Sequence, residues 1–237
     1  MAVGTINNST AFSVYTNYSA SALKLEKSMG RLSSGTKSVV DDGAGVGLSE
    51  RMRSQAGSTA MARQNVDNAI SVLQTADGWM QEVSDTLARM HELAIESNDA
   101  TKTNTDRTNI NAEFTQLQQE VTRIVNTAAK FNGTNLLNGS MSAATQVGAD
   151  SGQTITLKID SLASVTQMIS AATNGVATAS AATSQITKLQ TQIDNVSKAR
   201  ASVGGLQSRF EHTRSGQLTY EDNIRAAESK IRDVDMV

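Results

Sequence analysis

The chain has 237 residues, 38% of them hydrophobic and only 3% aromatic, with a formal net charge of −2. Near-neutral charge argues against nucleic acid, which needs a concentrated basic face. The absence of cysteine excludes disulfides, thiol catalysis and Cys-ligated metal.

Proline is absent too, so long unbroken helices are permitted anywhere along the chain. The first twenty residues carry neither a basic start nor an apolar run, unlike a Sec-type leader, and no later stretch is long enough to span a membrane. Composition alone reads as cytoplasmic, and export would need another route. With few aromatics to bury, stability is expected from long seams and from neighbouring subunits.

Helices are predicted where apolar residues recur three and four apart. The first carries Ala22, Leu25, Met29 and Leu32 and ends at Ser33-Ser34-Gly35, before a glycine-rich bend over 41–47. The second, about residues 44–99, has its strongest stripe at Val66, Ile70, Leu73, Met80, Val83, Leu87, Met90 and Ala94. A polar loop from Thr101 to Asp106 reverses the chain. The third helix, about 105–130, carries Ile110, Phe114, Leu117, Val121, Ile124, Ala128 and Phe131, spaced 4-3-4-3-4-3 as in a coiled-coil seam. A short polar connection makes these two helices an antiparallel pair.

The character then changes. Two Asn-Gly turn signals fall within 131–139. Polar and apolar residues alternate from Gln153 to Ile159, which with Thr145-Gln146-Val147 predicts a β-hairpin over about 143–160. Residues 171–184, nearly all Ala, Ser and Thr, read as a connector or weak helix start. The last helix, about 184–234, carries Ile186, Leu189, Ile193, Val196, Val203, Leu206 and Phe210, continued by Leu218, Ile224, Ala227, Ile231 and Val234. Unbroken, it would reach roughly 75 Å at about 1.5 Å per residue.

The expected fold is mainly α: an elongated, antiparallel, coiled-coil-like helical bundle, or rod, with a small β-hairpin and an N-terminal helical arm. The arm and bend occupy 1–42 and the rod 43–237.

No chemistry is indicated. Gly43, Gly45 and Gly47 form GxGxG without a preceding strand or a P-loop lysine, and a bend accounts for all three. His91 and His212 are solitary, without metal-ligand spacing. Neither Asp41 with Asp42 nor Asp233 with Asp235 has apolar surroundings to separate two carboxyl groups into acid and base. The chain reads as a protein without catalytic residues, cofactor or metal. Trp79, beside the second stripe, reads as a packing or interface residue rather than one for recognition.

Several segments go beyond architecture: Arg31-Leu32-Ser33-Ser34-Gly35, Asp41-Asp42-Gly43-Ala44-Gly45, Arg63-Gln64-Asn65 with Asp67, and Leu73 to Gly78. Glu92-Leu93-Ala94, Phe131-Asn132-Gly133 with Leu136-Leu137, Gly204 to Phe210 and Ser229 to Asp233 come after them in order. Over residues 1 to about 140 and about 186 to 237 the chain resembles the bacterial flagellins.

That resemblance implies a secreted, extracellular structural protein that self-assembles into the flagellar filament for motility. Its implied partners are other flagellin subunits in a homo-polymer, the flagellar type III export apparatus and the filament cap; nucleic acid and membrane insertion are not implied. Too few residues separate hairpin from last helix for an outer domain of roughly 100 residues. In the family a further helix continues the segment resembling 231–236, and it packs on the N-terminal arm. The arm residues Leu25, Met29 and Leu32 are therefore expected to lack an intrachain partner, and the chain to polymerise poorly alone. The resemblance also implies a patch recognised by an innate immune Toll-like receptor at Arg89, Leu93 and Glu113. Two alternatives stay open: a hook–filament junction protein and a secreted helical binding module.

Overall fold

The computed structural model describes residues 9–170 and 175–234; the side chains of 168–170 are not among those described. The elements are α1 (Ser9–Ser34), α2 (Gly43–Asn98), α3 (Asn104–Arg123), a π-helical turn (Ile124–Ala128), and strands β1 (Lys130–Phe131), β2 (Thr134–Asn135), β3 (Ser142–Gln146) and β4 (Thr154–Lys158). Helices α4 (Ala163–Ser170) and α5 (Ala179–Arg232) complete a mainly α chain. Two compact units arise, one within Met1–Ser58 and Thr219–Val237, the other Thr59–Leu218.

The core belongs to the second unit. All eight residues of the predicted α2 stripe, Val66 through Ala94, are buried. Their partners come from α3 and α5, which run antiparallel to α2. Rising numbers on α2 meet falling ones on α5: Asp67 with Arg214 at 3.4 Å, Asp77 with Arg200 at 2.8 Å, and Asn98 with the Thr183 hydroxyl at 2.9 Å. Likewise Arg89 meets Glu113, and Arg107 donates to the Ser97 carbonyl at 2.8 Å. The α2–α3 turn is closed by a capping box in which Thr103 and Asp106 satisfy each other's backbone N–H groups.

On α3 the predicted seam holds from Ile110 to Ile124 and then breaks. The π turn, closed by Ala129 N–H on the Ile124 carbonyl at 3.0 Å, adds a residue to one turn and rotates the chain beyond it. Val125 and Ala129 enter the core, whereas Ala128 is half-buried and Phe131 is 37% exposed. Ala128 and Phe131 thus leave the seam in which their spacing alone would place them.

On α5 the inward positions Ala182, Leu189, Val196, Val203, Phe210 and Gln217 repeat every seven residues. Gln185 and Gln192 are also buried, so polar residues share the seam. Leu218, expected inside, is exposed because the seven-residue frame takes Gln217 instead. Helix α5 also starts earlier than expected, at Ala179, through the Ala/Ser/Thr stretch; residues 171–174 lie outside those described.

The β3–β4 ladder pairs Ser142 with Lys158 through Gln146 with Thr154, so β3 begins earlier than Thr145. Ile155, Leu157 and Ile159 face the core while Thr154, Thr156 and Lys158 face solvent, as the alternation predicts. Two amide side chains moor the hairpin: Asn65 donates to the Gln146 carbonyl and Gln217 to that of Val147. The first Asn-Gly signal closes β1–β2, with Asn132 and Gly133 both left-handed, at φ +47° and +79°, as a two-residue hairpin turn requires. Helix α4 has no periodic signal; its start is set by the Ser161 hydroxyl accepting from Ala163 N–H and by burial of Leu162 and Val165.

Candidate assembly surface

Helix α1 has no buried residue. Its apolar residues are nonetheless patterned: Ala11, Tyr15, Tyr18, Ala22, Leu25, Met29 and Leu32 are spaced 4-3-4-3-4-3, the seam of a two-helix contact. Tyr15, Tyr18, Leu25, Met29 and Leu32 are each between 63% and 74% exposed. Leu25, Met29 and Leu32 are legible in the sequence as an arm stripe; its continuation through the tyrosines extends the same spacing by two turns. Full burial of a large apolar side chain is worth about 1.5–3 kcal/mol, so this stripe holds a large contact in reserve.

The far end of α1 is firmly tied. Gly35 ends the helix in the left-handed region, φ +67°, with its N–H on the Arg31 carbonyl at 2.9 Å. Arg31 donates to the Asp41 carboxylate at 2.7 Å, and Asp41 also accepts from the Ser38 hydroxyl at 2.9 Å and the Ser38 N–H at 3.3 Å. These donors, the Arg31 guanidinium foremost, hold the Asp41 carboxyl well below the usual carboxylate range, and Asp41 raises Arg31 in return. Asp42 acts on the other side of the bend, where its Oδ1 accepts from Gly45 N–H at 2.8 Å and caps the start of α2. The consecutive aspartates thus divide the bend, one gripping the helix before it and one capping the helix after.

The end of α5 joins the same bend. Thr36 and Asp233 form an antiparallel bridge, with Lys37 N–H on the Arg232 carbonyl at 2.8 Å and Val234 N–H on that of Gly35 at 3.0 Å. Arg232 donates to Glu50 of α2 at 2.7 Å. Sequence reasoning offers these residues only as motif letters, since contacts between residues so far apart in the chain leave no local periodicity.

The expected receptor residues lie in the second unit. Arg89 donates through Nε and a terminal nitrogen to Glu113 at 3.0 and 2.8 Å, and to Glu92 at 3.2 Å. Glu113 and then Glu92 raise the Arg89 guanidinium further. Arg89 and Glu113 are therefore together on the surface, each about half exposed. Leu93, one turn on, is not with them there: it is 1% exposed and belongs to the core. Among the described residues no group of three or more His, Asp or Glu side chains is gathered for a metal, and no helix is long and apolar enough to cross a membrane.

The chain matches the bacterial flagellin N-terminal helical region over residues 6–142 and the flagellin C-terminal helical region over 186–237. The chain belongs to the bacterial flagellin family. The two matched regions bear out the resemblance drawn from the motifs. A flagellin of Halalkalibacterium halodurans is 36% identical over 97% of this chain and 85% of its own length. The flagellar filament 30.7 kDa core protein of Treponema maltophilum is 34% identical over 83% of this chain and 73% of its own. Among solved structures, Bacillus cereus flagellin aligns with a TM-score of 0.59 and 28% identity over 65% of this chain and 88% of that one. A putative flagellar hook-associated protein from Vibrio parahaemolyticus aligns with a TM-score of 0.71 at 14% identity, over 81% of this chain and all of that one, a likeness of fold alone. Flagellins are structural proteins of the flagellar filament, and this chain is one of that family rather than an enzyme.

Proposed function

We propose that this flagellin polymerises through the α1 stripe, each subunit offering Tyr15 to Leu32 to a helix of its neighbours in the filament. The observation that carries this is a complete coiled-coil seam left uncovered on a helix whose C-terminal end is fixed by Arg31–Asp41 and the Thr36–Asp233 bridge. An exposed apolar seam on a helix tied at one end is partly preorganised for association, because less ordering is lost on binding. On this reading the subunit leaves the cell through the flagellar type III export apparatus, adds beneath the filament cap and works outside the cell.

Because the described residues leave α1 uncovered, growth is expected to need a neighbour's helix on the α1 stripe and to be weak where the neighbours offer none. Incorporation into filaments of a flagellin that supplies a covering helix is expected to be efficient. Electron microscopy of the protein alone and mixed with such a flagellin tests this. Long, abundant filaments from the protein alone would contradict it.

A second reading concerns recognition by a Toll-like receptor. Arg89 and Glu113 form one exposed charged patch across α2 and α3, while Leu93, one turn on from Arg89, is buried in the core. Receptor signalling by Arg89→Ala protein, compared with wild type at equal folded concentration, tests it; unchanged signalling would contradict this assignment.

A further inference from the structure

Between the π turn and β3 stand two asparagine–glycine pairs whose surroundings differ. Asn132–Gly133 closes the β1–β2 pair, with Asn132 itself left-handed and the strands on either side paired. Asn138–Gly139 belongs to no ladder. Its asparagine is exposed, and Asn138 Oδ1 accepts from the N–H of Ser140 at 2.9 Å. The loop is held in this shape from behind by Asn135, whose Oδ1 accepts from the N–H groups of Leu137 at 3.0 Å and Asn138 at 3.3 Å.

We infer that Asn138 is a site of spontaneous deamidation and isoaspartate formation, with water the only co-reactant. The main-chain nitrogen of Gly139 attacks Cγ of Asn138, its proton passes to solvent base, and Nδ2 takes a proton from water and leaves as ammonia, closing a succinimide. Water then opens one of the two imide bonds. Breaking the bond to Cγ gives aspartate; breaking the bond to the main-chain carbonyl gives isoaspartate, in which the chain runs through the former side chain. Nothing is oxidised or reduced, and an amide nitrogen is exchanged for oxygen.

Three features of the loop favour this step. Glycine presents no side chain to obstruct attack by its nitrogen, and the loop's hydrogen bonds among the described residues leave the Gly139 N–H unused. The Ser140 N–H lies on the oxygen that gains negative charge when Cγ becomes tetrahedral, the placement that stabilises such an intermediate. Nor can the glycine readily be replaced: its φ is +85°, and a Cβ there would come 2.8 Å from Cβ of Ser161. Asn132 has the same dipeptide chemistry without this donor, and it sits in a two-residue turn held by paired strands on either side.

Isoaspartate adds a main-chain atom between Leu137, whose carbonyl accepts from Leu162 N–H at 2.8 Å, and Met141, whose carbonyl accepts from Ile159 N–H. These bonds tie the loop to the segment leaving β4, so the modified protein loosens there.

The test is a time course of the whole folded protein in warm, mildly alkaline buffer, with a urea-unfolded sample beside it. Peptide mapping by mass spectrometry reads amide-to-acid conversion at each asparagine, and chromatography separates aspartate from isoaspartate. In the unfolded chain the two sites convert at similar rates. In the folded protein Asn138 is expected to convert about tenfold faster than Asn132, a fraction of what one oriented oxyanion donor supplies in an enzyme. Amide exchange at Leu162 should quicken as isoaspartate accumulates. Equal folded rates, faster conversion at Asn132, or an Asn138 that stays intact would each overturn the inference. Asn138→Ala protein, which has no side-chain amide at this position, is expected to show no acid conversion and no isoaspartate there while Asn132 converts as in wild type, which fixes the assignment.

Discussion

The Arg31 guanidinium meets the Asp41 carboxylate at 2.7 Å across the bend that joins α1 to α2, and the carboxylate side chain is only 7% exposed. Asp41 is held below its ordinary value of 3.8 in the folded state, so its contribution to order in the bend is fully present above that value. It is lost only as pH falls through the lower folded value. Protection of the Ser38 amide, its exchange relative to the intrinsic rate at each pH, is therefore expected to hold from neutral pH to about pH 4 and to fall only in stronger acid. Asp41→Asn should give fast exchange at Ser38 already at neutral pH and abolish the acid dependence. An unchanged exchange profile would show that the pair does not order the bend.

Core and arm should respond oppositely to truncation. Phe114 and Phe210 are buried among α2, α3 and α5, and either one changed to alanine should cost about 3–5 kcal/mol in urea denaturation. Leu25→Ala removes an equally apolar side chain from an uncovered face, so the subunit's stability should move by no more than about 0.5 kcal/mol. A large loss from Leu25→Ala would mean that α1 is already covered within the subunit.

Gly204 and Gly205 lie inside α5, where an added Cβ would meet no neighbouring atom. Each glycine weakens the helix without a packing reason inside the subunit. Gly204→Ala and Gly205→Ala should each stabilise the protein by up to about 1 kcal/mol. Destabilisation by either would reveal a contact at this face.

The Arg89–Glu113 pair is solvated on both sides. Arg89→Ala should leave the thermal midpoint and the helical signal unchanged, since exposed ion pairs contribute little to stability. A lowered midpoint would assign Arg89 to holding α2 against α3.

The fold is legible in the sequence wherever its periodicity is strong. The α2 stripe from Val66 to Ala94 can be read residue by residue because every seam position is apolar. The same rule fails at Ala128 and Phe131, because a π turn changes the phase of a helix without changing its composition. It fails again at Leu218, where the seven-residue frame places a glutamine inside and a leucine outside. A period of seven also drifts about 20° per heptad from a straight helix, so over a helix as long as α5 a stripe drawn at one angle loses its register. At the candidate site, Leu25, Met29 and Leu32 are legible as an apolar stripe. Its anchorage is not, because Arg31–Asp41, Arg232–Glu50 and the Thr36–Asp233 bridge depend on how distant segments meet.

Incorporation of the labelled subunit into filaments growing from a flagellin that supplies a covering helix tests the role of α1 most directly. Wild-type protein and Met29→Asp protein, both shown to be folded, would be compared by electron microscopy and by the label retained in sedimented filaments. Wild type is expected to be incorporated and Met29→Asp excluded, because a carboxylate in the seam would have to be buried without a partner. Equal incorporation of the two would show that subunits join through some other surface.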